Sequence, residues 1–279
     1  MKFALNSGIL PNAWSPAQKV EAAARVGADG LELNVDAAQL WTQRLDGSAR
    51  RALRQQAQDT GIAIPSLCLN AHWVFNLASP DVRIRDLGVS LLIDAIGLAH
   101  DLGAFALLVP GCDQEESPAD RWELFRDGVM RGIARAEQAG VVLALEAVGK
   151  PFLFNTQKLL QMIADCGGSP ALGIYLDVGN ATHGGMDPAA EIRAAGDCAV
   201  LVHVKDWDPA GSGGGGFASE RRLGAGAVDL ASSFAALREI GYGQTRPPGY
   251  LVVELPPDPA DPDLAARQAI QFLKEATHG

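Results

Sequence analysis

The feature that most constrains this chain is a repeated alternation. Short runs rich in β-branched residues and leucine lie at 2–8 (KFALNSG), 30–34 (GLELN), 62–70 (IAIPSLCLN) and 104–110 (AFALLVP). Four more follow at 141–147 (VVLALEA), 172–177 (LGIYLD), 199–206 (AVLVHVKD) and 250–256 (YLVVELP). Between them lie longer stretches of helical pattern. SPAQKVEAAARVGA opens with Ser15 as a cap and Pro16 at the first helical position. Others, such as DVRIRDLGVSLLIDAIGLAHDLG, end at a glycine, as a helix C-terminus does. Strands alternating with helices pair in parallel. Eight such units in 279 residues, roughly 35 residues each, predict a single (β/α)8 TIM barrel of class α/β over 1–279. A doubly wound sheet would place a glycine-rich nucleotide loop after the first strand, and SGILPNAW is not one. GSGGGG at 211–216 follows the seventh strand and starts no obvious helix, so it reads as a mobile loop or lid.

Composition narrows the setting. A net charge of −10 repels a phosphate backbone and argues against a nucleic-acid partner. No window approaches the roughly 20 apolar residues that span a bilayer. MKFALNSGIL lacks the apolar core of a signal peptide, so a soluble, cytoplasmic protein is expected. Cys68, Cys112, Cys166 and Cys198 are scattered through apolar segments with no C-x-x-C pair, which predicts buried reduced thiols.

The chemistry lies at the strand ends, where barrel active sites form. Strand five ends in Glu146, strand six in Asp177, strand seven in His203 followed by Lys205, and strand eight in Glu254. Residues two apart on a strand share a face. Glu146 therefore faces with Ala144, Asp177 with Tyr175, His203 with Lys205 and Glu254 with Val252. The bulkier neighbours Leu143, Leu145, Val202, Val204, Leu251 and Val253 face the other way, toward the helices. The ionisable groups thus face the barrel axis. Three carboxylates converging in a dry interior repel one another and raise at least one pKa. A divalent cation resolves that repulsion. Three carboxylates and one imidazole suit one Mn2+, Mg2+ or Co2+, with Zn2+ or Fe2+ also accommodated.

Around these residues the sequence resembles the xylose-isomerase-like barrels, specifically the sugar phosphate isomerase/epimerase group that includes ketose 3-epimerases. The matching stretches are LALEAVG with Glu146, YLDVGN with Asp177, VHVKD with His203, LGAGAVD at 223–229 and VVELP with Glu254. GADGLELN and LNAHWVFNLASPD add to it. The resemblance implies that Glu146, Asp177, His203 and Glu254 hold one divalent metal, and that Glu146 and Glu254 are also the catalytic acid/base pair. The implied reaction polarises a ketose carbonyl, removes the neighbouring C–H proton to give an enediolate and returns a proton. Return to the opposite face epimerises; return to the adjacent carbon isomerises. Lys205 is a candidate to stabilise the enediolate charge.

Other candidates follow from position. Glu32, ending strand two, is expected either to contact substrate or to orient His203. His72, in NAHW after strand three, stands where such barrels often contact substrate. Trp14 and Trp73 are candidate walls of the sugar pocket, and His183 in NATHGG is a further substrate candidate. Arg221 and Arg222 read as surface. Three positions depart from the ketose 3-epimerase pattern: Asn180 replaces a histidine, Phe152 a glutamate and Pro209 an arginine. These departures leave the metal set intact and the sugar, or sugar phosphate, open. A multi-metal endonuclease of the same superfamily needs more histidines than the five present. An inosose-type dehydratase and a non-catalytic sugar-binding barrel remain as alternatives. Assembly as a dimer or tetramer is expected from the resemblance.

Overall fold

Alternating strands and helices close on themselves as the sequence predicts. The computed structural model describes all residues except 42–44, 113–119, 149–151, 208–219, 245–247, 259 and 279. The glycine loop at 211–216 and Pro209 lie outside the described residues. The barrel strands are β1 (Lys2–Asn6), β2 (Gly30–Asn34), β3 (Ser66–Cys68), β4 (Ala106–Pro110), β5 (Val142–Glu146), β6 (Leu172–Asp177), β7 (Ala199–Val204) and β8 (Tyr250–Val253). Each pairs in parallel with its neighbours, and β1 pairs with both β2 and β8 to close the ring.

The helices are α1 (Pro16–Arg25), α2 (Ala37–Trp41), α3 (Gly47–Asp59), α4 (Val82–Leu102) and α5 (Asp120–Ala139). They continue with α6 (Thr156–Asp165), α7 (Val178–His183), α8 (Pro188–Ala195), α9 (Leu230–Glu239) and α10 (Pro262–His278). Their starts follow local chemistry. Ser15 caps α1 in a reciprocal capping box with Gln18, and Asp46 and Asp81 cap α3 and α4. Gly103 ends α4 with φ of 80°, a left-handed conformation that glycine adopts without strain.

Strand alternation divides the core in two. Leu143, Leu145, Val202, Val204, Leu251 and Val253 pack outward in the large layer under the helices. Ala144, Tyr175, Leu201 and Val252 belong to a separate cluster filling the lumen, with Ala4, Cys68 and Leu108. The inward-facing polar ends are thereby stacked above a small, dry plug. Cys68, Cys112 and Cys166 are buried.

The boundaries differ from the sequence pattern. The third strand is only three residues, flanked by a single bridge between Gly30 and Ala63. Pro65 has no N–H to donate to a ladder, which interrupts the apolar run at 62–70. The first strand stops at Asn6, whose side chain caps a 3-10 turn at Ser7–Ile9. The short helices α2 and α7 carry too few residues to show a period. Asp206–Trp207 pairs antiparallel with Glu220–Arg221, outside the barrel. No helix of the described residues is long and apolar enough to cross a membrane.

Candidate metal centre

Four strand ends deliver the cluster. Glu146 closes β5 and Asp177 closes β6, while His203 sits one residue before the end of β7. Asp177 and His203 are in register. Glu254 lies one residue past β8, yet its backbone N–H still donates to Val204 O at 3.1 Å. That bond extends the ladder just far enough to aim the carboxylate inward. One ligand atom from each of Glu146, Asp177, His203 and Glu254 lies within 4.8 Å of all the others.

His203 is the centre of the arrangement and is fully buried. Its Nδ1 is 3.4 Å from Glu254 Oε2, 3.5 Å from Glu146 Oε1 and 3.7 Å from Asp177 Oδ2. Among the described residues, Nδ1 has no aligned hydrogen-bond partner. These separations are too long for strong hydrogen bonds but match ligands grouped about one shared ion, each about 2.0–2.2 Å from it. A buried nitrogen facing three carboxylates is a donor set that suits a divalent cation.

Asp177 shows how local folding aims a candidate ligand. Its Oδ1 accepts the Asn180 backbone N–H at 2.7 Å and so caps α7. The cap holds the carboxylate in one rotamer and leaves Oδ2 for the centre. Asn180 also donates from Nδ2 to Glu146 Oε1 at 3.3 Å and to Ala147 O at 3.2 Å. Lys205 Nζ bridges Asp177 Oδ2 at 3.0 Å and Glu254 Oε2 at 2.7 Å. Gly179 leaves the space for this: a Cβ there would collide with Lys205 Cγ.

Electrostatics separate the carboxylates. Burial, with Asp177 and Glu254 adding to it, pushes Glu146 up to about 7 although His203 opposes the shift. Burial would raise Asp177 as well, but Lys205 and His203 outweigh it and hold the group well below the usual carboxylate range. Burial would lower His203, yet Glu254 and Glu32 raise it well above an ordinary histidine. Without a cation, the imidazole and Lys205 carry the compensating positive charge.

The remaining sequence candidates are distributed as follows. Glu32 meets His203 directly, with Oε1 2.7 Å from Nε2. His183 sits at the end of α7, its ring edge-on to Trp207 with centroids 5.2 Å apart, on the chain that leaves β7. Trp14 packs on the core with the Arg25 guanidinium 6.0 Å from its ring centroid. His72 turns toward α4, its Nε2 3.0 Å from Gly88 O. Trp14 and His72 thus contact α1 and α4. Arg222 is exposed and donates to Gln268 at 3.3 Å.

His72 carries a measurable consequence. Burial lowers its pKa from 6.5 to about 4, despite the Gly88 contact. The unfolded chain gains a proton near pH 6.5 that the folded chain refuses until about pH 4. The associated stability is fully present above 6.5 and is lost as pH falls toward 4, by roughly 3 kcal/mol. Denaturant unfolding of the metal-stripped protein is expected to show wild type losing about that much more than His72→Gln across this window. Parallel curves for the two would refute the buried neutral ring.

Two groups were not legible as site residues. Asp206 is buried, and its carboxylate accepts the backbone N–H groups of Trp207, Gly224, Gly226 and Val228 at 2.9–3.1 Å. It ties the LGAGAVD stretch to the end of β7. Asn6 and Ser66 bond Glu32 from neighbouring strands. Their only sequence clue is a polar residue on an inward face of an apolar strand.

The closed parallel barrel and this ligand cluster define a (β/α)8 protein with a candidate divalent-metal centre at the C-terminal ends of its strands. Residues 20–276 match the family model described as Xylose isomerase-like TIM barrel, and the chain belongs to that family. It is 33% identical over 230 residues to an L-ribulose-5-phosphate 3-epimerase, UlaE, of Salmonella paratyphi C, covering 81% of this chain and 78% of that one. The Escherichia coli (strain SMS-3-5 / SECEC) protein of that name is 32% identical over 229 residues, with the same coverage. Solved structures share the fold. An L-ribulose 3-epimerase superposes with a TM-score of 0.80 at 21% identity, over 99% of this chain and 94% of that one. The IOLI protein with a zinc atom superposes with a TM-score of 0.80 at 21% identity, over 99% and 96%. The family is one of enzymes, and the relatives named here include sugar epimerases.

Proposed function

We propose that this protein is a divalent-metal-dependent 3-epimerase of a ketose phosphate, with L-ribulose 5-phosphate as the first substrate to test. The observation that carries this reading is the buried His203 Nδ1 facing Glu146, Asp177 and Glu254 at 3.4–3.7 Å. The phosphorylated pentulose comes from the relatives at 32–33% identity.

In this reading Glu146, Asp177, His203 and Glu254 hold the ion. When bound, the metal supplies Lewis-acid polarisation of the ketose carbonyl, which acidifies the adjacent C–H. Glu146 and Glu254 divide the proton work. One takes the C3 proton as a carboxylate, and the electron pair of the broken C–H bond passes into an enediolate. The other delivers a proton to C3 from the opposite face, which inverts that carbon. The pair then stands with its protonation states exchanged, ready for the reverse direction. Lys205, between Asp177 and Glu254, places an ammonium where it stabilises the enediolate charge. His183 and Trp207 offer an aromatic wall beside the α7 end of the site.

The test is to incubate metal-supplied protein with L-ribulose 5-phosphate in D2O. Formation of the C3 epimer with deuterium at C3 is the expected result. Water loss from a cyclic ketone such as an inosose, without epimerisation, would replace this reading with the dehydratase. Metal bound with no turnover of free or phosphorylated ketoses would support the non-catalytic barrel.

A further inference from the structure

Glu32 lies at the centre of the barrel with no exposed surface. Its Oε1 faces His203 Nε2 and accepts from Asn6 Nδ2, both at 2.7 Å. Its Oε2 accepts from Ser66 Oγ at 2.6 Å and from Tyr175 OH at 2.8 Å. One carboxylate on β2 therefore joins β1, β3, β6 and β7 across the lumen. A carboxylate has about four lone-pair sites, and four partners fill them. No capacity is left for a sugar hydroxyl.

The partners are themselves fixed. Asn6 Oδ1 accepts the Gly8 N–H at 2.7 Å, and Nδ2 also donates to Asn34 Oδ1 at 2.8 Å, so its amide is turned with N toward Glu32. The Tyr175 ring lies 4.4 Å from the His203 ring, tilted by 51°, and restricts it from one side. Between a carboxylate and an imidazole nitrogen, the nitrogen donates. His203 must then carry its proton on Nε2, and a neutral ring has its lone pair on Nδ1. Nδ1 is the nitrogen among Glu146, Asp177 and Glu254.

We propose that Glu32 is a positioning residue that locks His203 as the Nε2–H tautomer and so commits Nδ1 to the metal. The inference rests on the metal-centre reading above. A mismatched tautomer would present an N–H to a cation, and a ring free to flip would bind only part of the time.

Two measurements test it. Mn2+ is titrated by calorimetry into metal-stripped wild type and Glu32→Gln, with folding followed by circular dichroism. The variant keeps the size of the side chain and loses the charge. It is expected to bind Mn2+ about 10–100-fold more weakly. Equal affinities would overturn the inference and leave the metal reading standing. Failure of wild type to bind Mn2+, Co2+ or Zn2+ would overturn both. The second measurement is 15N NMR of histidine-labelled, Zn2+-loaded wild type, with His203 assigned from His203→Asn. A proton on Nε2 and a metal-shifted Nδ1 is expected; the reverse assignment overturns the proposal. This result stands alone if the variant fails to fold, and a purely structural Glu32 would not determine it.

Discussion

Glu254→Gln is expected to lower epimerisation by roughly 10²–10⁴-fold while the protein stays folded and keeps its metal. Glutamine retains the length of the side chain and an oxygen that can still ligate an ion. It cannot take up or release a proton. Glu254 is the most accessible of the four candidate ligands, with 21% of its side chain exposed, so the change disturbs little packing. Glu146→Gln is expected to fall in the same range. The two-base scheme adds a sharper expectation. With one glutamate gone, the other still faces one side of C3. Each variant should exchange the C3 proton of one epimer with D2O far faster than it interconverts the two. NMR of the substrate in D2O reads both rates. Full activity with full metal content in Glu254→Gln would show that the proton work is done elsewhere.

Removal of the metal is expected to abolish turnover, and its rebinding is expected to weaken steeply below neutral pH. A ligand must be deprotonated to bind a cation. Burial, reinforced by Asp177 and Glu254, holds Glu146 near 7 without a metal. Its proton is absent above that pH and competes below it, which by itself contributes about a tenfold fall in affinity per pH unit below about 7. His203 is raised well above an ordinary histidine once its carboxylates outweigh burial, so its proton is also displaced by the ion at neutral pH. Mn2+ titrations from about pH 8 to about pH 5.5, repeated in buffers of different ionisation enthalpy, read affinity and proton release together. An affinity flat across this range, with no protons released, would remove Glu146 and His203 from the ligand set. His203→Ala is expected to lose the ion altogether.

The two expectations draw on parts of the site that were legible to different degrees. The candidate ligands stand out because each breaks an apolar run at the same point of its strand, and a period of two tells which way each points. The division of the core confirms that reasoning: Leu143, Val202 and Val253 lie under the helices, while Ala144, Leu201 and Val252 fill the lumen. Strand limits were less legible. The apolar run at 62–70 contains Pro65, and it forms a three-residue strand at Ser66–Cys68 with a single bridge at Ala63. His72 and Trp14 stand beside strand ends in the sequence, yet their rings turn to α4 and α1. A residue just past a strand has no periodicity to constrain its direction, so burial against a neighbouring helix decides it.

Alternation of apolar runs, helix caps and turn glycines determined the eight-unit barrel and the strand ends that carry Glu146, Asp177, His203 and Glu254. Each of those features depends on residues a few positions apart, and chain geometry alone relates them. Tertiary structure decided the rest. Asp177 points inward because α7 forms behind it, and Asp206 organises a loop about 20 residues further on. Glu32 meets His203 across 171 residues of chain, with Asn6, Ser66 and Tyr175 closing the same carboxylate. Such contacts exist only once the ring of strands has closed. The donors of an ionised group buried in a dry lumen come from wherever the fold brings them, and no local pattern records them.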